Sequence, residues 1–455
     1  MIQGVTGLLI RLCIQKKGFY IVDLLKDSPK QLFSKYLVPS VSATMVTSIY
    51  ILADSIMIGK GIGELAIAAL NIVLPLFNIM FGTGALFGVG GAVLFSVAMG
   101  NGDTDRAKRY FTIAALLNTA FVLFYLVAGN VFLEPILTFL GATDLTWAYA
   151  YDYAKWLMLG TPVFAFSLFL QSFVRNDKNP KLAMVAVITG GVLNTILDWV
   201  FIYPMQLGMT GAVVASIIGT GVTCLILCIH FFRKECNLRI SLHRLRPRYG
   251  KEIFQYGTSS FLTEISGGVL IFVLNQQALL YAGELGVTVY SVLTNSAYIV
   301  NAFSNGIAQA AQPIIATNFG AKAQSRIDEV KAVGMRTALM AGSTFAAIGL
   351  LFPLAVVYIF INPTAAILEL APLAVRIYFI GFIAAALNIF FTTYFQATLQ
   401  PSKALTICML RGLVLSVAFA YILPPILDIT GIWVSILLAE FITLGIALLM
   451  DKKKK

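Results

Sequence analysis

The sequence predicts an all-α polytopic membrane protein whose twelve transmembrane helices form two six-helix lobes, related by a pseudo-two-fold axis along the membrane normal. Three observations predict this: the composition, the spacing of the apolar runs, and an internal repeat. Of 455 residues, 59% are hydrophobic and only 12% are charged, and the mean hydropathy is +0.86. A soluble domain spends about 25% of its residues on charge to keep a solvated surface. Only hydrocarbon can solvate the outside of this chain, which excludes disorder, a secreted disulfide scaffold and a soluble nucleic-acid binder together.

Crossing ~30 Å of hydrocarbon takes about 20 apolar residues. In order, such runs cover 35–58, 64–98, 109–131, 152–174, 182–203 and 209–231, then 253–282, 286–318, 333–360, 368–399, 403–426 and 429–450. Helix 1 carries Pro39, which neighbouring helices can accommodate. Helix 2 contains Gly82, Gly84, Gly88, Gly90 and Gly91 with no phosphate-loop lysine, a pattern for close helix packing. Helix 5 ends at Tyr203-Pro204 and helix 6 enters near Met209; helix 8 ends at Asn318-Phe319-Gly320, and helix 11 starts at Lys403.

Charge sets the orientation. With both termini cytoplasmic, 28 of the 32 Lys and Arg fall on inside segments and their flanking turns. By the positive-inside rule this fixes the topology, and it reads the net charge of +11 as a membrane signal rather than a nucleic-acid one. The expected organisation is a cytoplasmic arm over 1–34, an N-lobe over 35–232, a basic linker over 233–251, a C-lobe over 252–450 and a basic tail over 451–455. The stretch Gly4–Ile14 reads as a short interfacial helix and not a cleavable signal, because Arg11 interrupts it and lysines follow.

The halves repeat at an offset of 220: Gly63-Glu64-Leu65 onto Gly283-Glu284-Leu285, Gly100 onto Gly320, Arg106 onto Arg326, Tyr36 onto Tyr256. An even number of helices separates the copies, so both have the same orientation, with a cavity expected between them as in alternating-access transporters. Five cysteines show no CxxC motif, and two histidines, His230 and His243, lie at or near the basic linker. Zinc chemistry and histidine catalysis are therefore poorly supported. No GxSxG, HExxH or Walker motif occurs, so neither an enzyme nor an ATP-driven pump is expected.

Ionisable side chains deep in a span cost ~2.5–3.5 kcal/mol on insertion scales and ask for a reason. Asp54 in helix 1 and Asp198 in helix 5 sit at equal depth. Tyr50 and Asn194 each precede their acid by four residues, on the same helical face, and Ser216 of helix 6 reaches a similar depth. Such a cluster can hold a shared proton or coordinate a small hard cation such as Na⁺ at Asp54, Asn194 and Asp198. Asp54 aligns with Leu274 in the other half and Asp198 with Phe419, so the fold itself does not require the acids. Glu264 in helix 7 is expected at mid-depth facing the cavity. Arg411 and Glu440, at similar depth on adjacent antiparallel helices, are expected to form a structural ion pair.

These residues resemble the multidrug and toxic compound extrusion (MATE) family over nearly the whole chain, in the bacterial-type branch with an N-lobe acidic cluster. The resemblance rests on Leu52-Ala53-Asp54-Ser55-Ile56-Met57-Ile58-Gly59, Gly100-Asn101-Gly102-Asp103, Asn194-Thr195-Ile196-Leu197-Asp198, Ala311-Gln312-Pro313-Ile314-Ile315 and Asn318-Phe319-Gly320. It implies export of amphipathic, usually cationic compounds from the cell across the plasma (inner) membrane, in exchange for H⁺ or Na⁺. No other cofactor is implied, and the chain is expected to act as a monomer. It further implies ion coupling at Tyr50, Asp54, Asn194, Asp198 and Ser216, and a bend of helix 1 at Pro39. Glu264 resembles the helix 7 acid of the sodium-coupled branch, but helix 10 offers Asn388, Thr392, Thr393 and Gln396 where that branch has a carboxylate. The alternative reading is a flippase of the same superfamily that moves a lipid-linked oligosaccharide.

Overall fold

The computed structural model describes residues 23–452; the arm helix expected at 4–14, Cys13 and the last three lysines lie outside them. The N-terminal half contains α1 Pro29–Gly61, α2 Glu64–Gly100, α3 Thr104–Val131, α4 Trp147–Asn176, α5 Pro180–Ile202 and α6 Gly208–Cys228. The next two spans form one 74-residue helical run, Pro247–Gly320, broken only at Ala282 and Gly283. They are α7 (247–281) and α8 (284–320), joined with no loop between them. Gly283 supplies the φ of 59° at that corner, where a side chain would be strained. Then follow α9 Gln324–Leu351, α10 Ala365–Ala397, α11 Pro401–Leu427 and α12 Ile429–Lys452.

The span expected at 333–360 is shifted. α9 begins at Gln324, breaks at Phe352, and a separate short helix Pro353–Phe360 follows. Pro353 cannot donate the hydrogen bond that would continue the helix. The polar first turns, with Asp328, Glu329 and Lys331, carry no apolar periodicity to announce them. Side-chain caps start two other helices: Asp103 accepts from Arg106 N at 2.9 Å and Asn179 from Leu182 N at 3.4 Å.

The duplication is written into the backbone. Left-handed residues recur in pairs: Gly63 with Gly283, Gly102 with Lys322, Gly208 with Asp428, and Lys178 with Leu399, at spacings of 220, 220, 220 and 221. The turns of both lobes therefore follow one template even where side chains differ.

Each lobe's first helix begins in the other lobe's core. Leu24, Phe33 and Tyr36 pack among Ile314, Ile327, Phe390 and Phe395 of the C-terminal half, while Ile253 of α7 packs among Phe95, Tyr110, Phe169 and Phe173 of the N-terminal half. Arginines at repeated positions fasten both crossovers. Arg326 donates to Leu24 O at 3.2 Å and Asp27 O at 2.6 Å, and Arg106 approaches Glu252 at 3.8 Å.

Between them α2 and α8 cross on the pseudo-two-fold axis. A methyl group on Gly100 would collide with the Thr317 carbonyl, and one on Gly320 with that of Val97. Gly90 abuts Gly257 of α7 and Gly306 abuts Val41 of α1 in the same way. These contacts lie in the half of the spans nearest the linker and draw the lobes together there.

Candidate functional site

Two polar regions of the interior bear on function. The first is in the N-lobe. α1 and α5 approach closely because Gly191 leaves room for the Tyr50 ring, and α5 and α6 touch backbone to backbone at Gly190 and Gly219. This packing brings Asn194 Nδ2 to 3.1 Å from Ser216 Oγ. Asp198, fully buried, lies within electrostatic reach of Asp54.

The distinguishing feature is what these groups lack. Both carboxylate oxygens of Asp198, Oδ1 of Asp54 and Oδ1 of Asn194 are buried without a well-formed hydrogen bond among the described residues, the Asn194 amide lying close to Asp198. Buried acceptors are nearly always paired, so four orphans from three side chains form an acceptor set that fits a proton or a small hard cation. The sequence reading missed one member of this neighbourhood. Tyr153 of α4 is buried and within reach of Asp54, Asp198 and Tyr50; in the run Tyr149 to Tyr153 it looks like an interfacial belt residue.

The second region is a cavity of about 300 Å³ between the lobes, walled mainly by α7, α8, α10, α11 and α12, with α2 and α4 opposite. Glu264 lines it with no hydrogen-bond or salt-bridge partner among the described residues. Arg411 and Glu440 form an ion pair at 2.7 Å. Asn388 steadies the carboxylate from α10 by donating at 2.7 Å to Oε2. Arg411 sits on a π-helical turn, Leu410–Val414, where Ser416 takes up the Arg411 carbonyl. Helices carry such turns frequently at functional sites. The pair lies in the cavity wall, not in a remote packing layer.

Arg175 requires a correction. The expected span 152–174 stops one residue short of it, which counts Arg175 among the basic residues of the inside segments. The structure keeps Arg175 in the last turn of α4, 7% exposed, lining the cavity and reaching across the lobes to Gln309 Oε1 at 2.7 Å. The cavity therefore holds Glu264 and Glu440 against Arg175 and Arg411, with no excess of acids. Pro39 is buried within an unbroken α1, just before the Val41–Thr44 segment that meets Gly306.

A further cluster joins residues that are remote in sequence. Metal-ligating atoms of Asp177, His230 and Cys236 lie within 4.8 Å of one another, all buried. Their hydrogen bonds are already satisfied: His230 Nε2 meets Asp177 Oδ2 at 2.8 Å, Nδ1 meets Asn179 Nδ2 at 3.2 Å, and Asn237 donates twice to Asp177 at 2.8 Å. Asn179 Oδ1 caps α5, so its amide donates to Nδ1 and places the ring proton on Nε2, directed at Asp177. A metal at Nε2 would have to displace that proton. The cluster pins the linker to the N-lobe.

Comparison with known proteins agrees with this architecture. A family model described as MatE matches residues 39–200 and again 261–422, once per repeat. The multidrug export protein MepA of Staphylococcus saprophyticus is 27% identical over 421 residues, covering 91% of this chain and 92% of that protein. MepA of Staphylococcus aureus strain MRSA252 is 25% identical over 416 residues, covering 89% of each. Among solved structures, an outward-facing multidrug resistance MATE family transporter of the MOP superfamily superposes with a TM-score of 0.89 at 24% identity, over 96% of this chain and 98% of the other. A MOP superfamily transporter from Pyrococcus furiosus gives 0.88 at 24% identity over the same shares. Family matches to both repeats, a shared twelve-helix fold and a polar cavity between the lobes lead to one conclusion: the chain belongs to the MatE family of membrane transporters, which are not enzymes.

Proposed function

We propose that the chain is a secondary active multidrug exporter, exchanging amphipathic, mostly cationic compounds for H⁺ or Na⁺ by alternating access. The observation that carries the reading is the set of four orphaned acceptor oxygens on Asp54, Asn194 and Asp198. The names of the Staphylococcus relatives support drugs as cargo, and the unpartnered Glu264 in the cavity supports a positive charge on them. The basic distribution supports cytoplasmic termini in the plasma membrane, and the chain acts as a monomer.

With the N-lobe carboxylates ionised, a cationic compound is held electrostatically. A proton on Asp54 or Asp198, or Na⁺ among the orphaned oxygens with Tyr50 and Ser216 alongside, cancels that charge. Bending of α1 at Pro39 then changes the shape of the lobe, and the compound leaves on the outer side. Exchange requires this mutual exclusion, since cargo and ion bound together without penalty would not be counter-transported. Arg411 and Glu440 pair in the wall, and Glu264 and Arg175 are the remaining charges of the cavity.

Efflux of ethidium from vesicles under separately imposed proton and sodium gradients tests the reading. Asp54→Asn, fixed in the neutral form, abolishes gradient-driven efflux while the protein stays folded and inserted, and Asp198→Asn does the same. Wild-type pumping by Asp54→Asn under both gradients would remove the N-lobe coupling site. Arg175 in the cavity favours a second reading, a flippase for a lipid-linked oligosaccharide pyrophosphate. Ethidium efflux unaffected by that lipid counts against it.

A further inference from the structure

The linker is held against α3. Its backbone is pinned where Ser241 N donates to Thr112 Oγ1 at 2.8 Å. Thr112 lies eight residues into α3, which at 1.5 Å per residue is ~12 Å beyond the helix start. Arg106, Lys108 and Arg109 all lie closer to that start, and basic side chains at a helix end mark the head-group level. Arg109 also bonds Tyr249 Oη at 3.2 Å, and Gly250 faces Ile113 and Leu117, so the first turn of α7 lies against the same stretch of α3.

The residues beside the pin point outward. Ile240 is 73% exposed and Leu242 71%, and Phe232, where the linker begins, is 88% exposed. Together with Leu116 on α3, 52% exposed, they form a continuous exposed apolar surface. Interleaved with them are Arg239, Arg244 and Arg246, with no salt-bridge partner among the described residues. The nearby acids are engaged elsewhere: Glu235 with Arg233 at 3.8 Å and Glu252 with Arg248 at 2.8 Å.

We propose that residues 239–246 form an interfacial anchor that binds anionic glycerophospholipid, with Ile240 and Leu242 among the upper acyl carbons and Arg239, Arg244 and Arg246 on the phosphates. Apolar side chains buried to the head-group boundary beside unpaired cations are the arrangement that selects anionic over zwitterionic lipid. The anchor lies on the only covalent connection between the lobes, so lipid held there restrains the movement of α7 against α3. The inference rests on the fold and not on the proposed cargo.

The test places a bimane on Leu242→Cys, in a background without other cysteines, in vesicles with equal fractions of brominated phosphatidylglycerol or brominated phosphatidylcholine. Phosphatidylglycerol quenches the probe about twofold more than phosphatidylcholine, and Arg239→Gln/Arg244→Gln/Arg246→Gln brings the ratio to one. No quenching by either lipid puts the linker in water and overturns the proposal, and equal quenching with the arginines intact removes the charge selectivity. Quenching that appears only after deletion of residues 1–22 assigns the face to the chain's own leading segment, and the proposal also fails. The arginine-intact protein decides each outcome, so misfolding of the triple variant leaves the test standing.

Discussion

Glu440→Gln keeps the shape of the side chain and removes its charge. In the native wall, Arg411 donates to Glu440 through Nε at 3.1 and 3.3 Å and Nη2 at 2.7 Å, and only 16% and 9% of the two side chains are exposed. Breaking a buried pair costs about 3–5 kcal/mol, because a charge is left without its counter-charge in low dielectric. Water in the cavity moderates this for Arg411, so the expected loss is about 3 kcal/mol. Arg411→Met strands the Glu440 carboxylate and costs a similar amount. The double replacement Arg411→Met/Glu440→Leu removes both charges and falls within about 1 kcal/mol of wild type, as apolar replacement of buried pairs often does. Asn388 stays anchored in that variant, since its second bond at 2.8 Å goes to the main-chain oxygen of residue 440. Thermal melts in detergent for the four proteins make the comparison. Single variants that melt with wild type, or a double variant that loses the sum of the singles, would refute the pairing argument.

The other predictions concern topology, the lobe crossing and the cavity acid. Single cysteines at Arg244 and Thr143, in a background without native cysteines, label from opposite sides of the membrane; labelling of both from one side would end the twelve-span topology. Gly100→Val collides with the Thr317 carbonyl and forces the lobes apart near the linker, so a cysteine at the cavity residue Asn305 reacts faster with an impermeant maleimide applied from that side. An unchanged rate would mean that the crossing does not close the cavity. Glu264→Gln weakens the affinity for ethidium about tenfold, the loss of one charge-assisted contact, and leaves the ion dependence of efflux in place. A shift in the ion dependence alone would move Glu264 from cargo binding to coupling.

Much of the fold was legible because a membrane makes hydropathy a direct record of span and loop. The repeat was legible for a related reason: turn glycines such as Gly63 and Gly283 answer to backbone geometry and survive when side chains drift. The Arg411–Glu440 contact could be anticipated from depth, since two helices that start and end on known residues fix the height of every residue between. Arg175 shows where that method fails. Its position at the end of an apolar run reads as the membrane boundary, but α4 continues through it and the opposite lobe supplies Gln309, which no pattern in either segment announces. Asp177, His230 and Cys236 were illegible for the same reason, for their meeting depends on how the linker folds back onto the α4–α5 turn. The reciprocal docking of α1 and α7 left no trace in hydropathy, because a helix start buried in a neighbouring lobe and one buried in its own have the same composition.

The pin between Ser241 and Thr112 also sets a length. From Ser241 to Pro247, where α7 begins, the chain has six residues, and fully extended they reach roughly 20 Å at 3.3–3.6 Å each. Beyond that distance the start of α7 cannot move from α3 unless the pin breaks. The linker is therefore a short tether, and its reach caps the stroke of the lobes on this side. Inserting flexible residues after Leu242 would lengthen that stroke without touching any charged group in the protein.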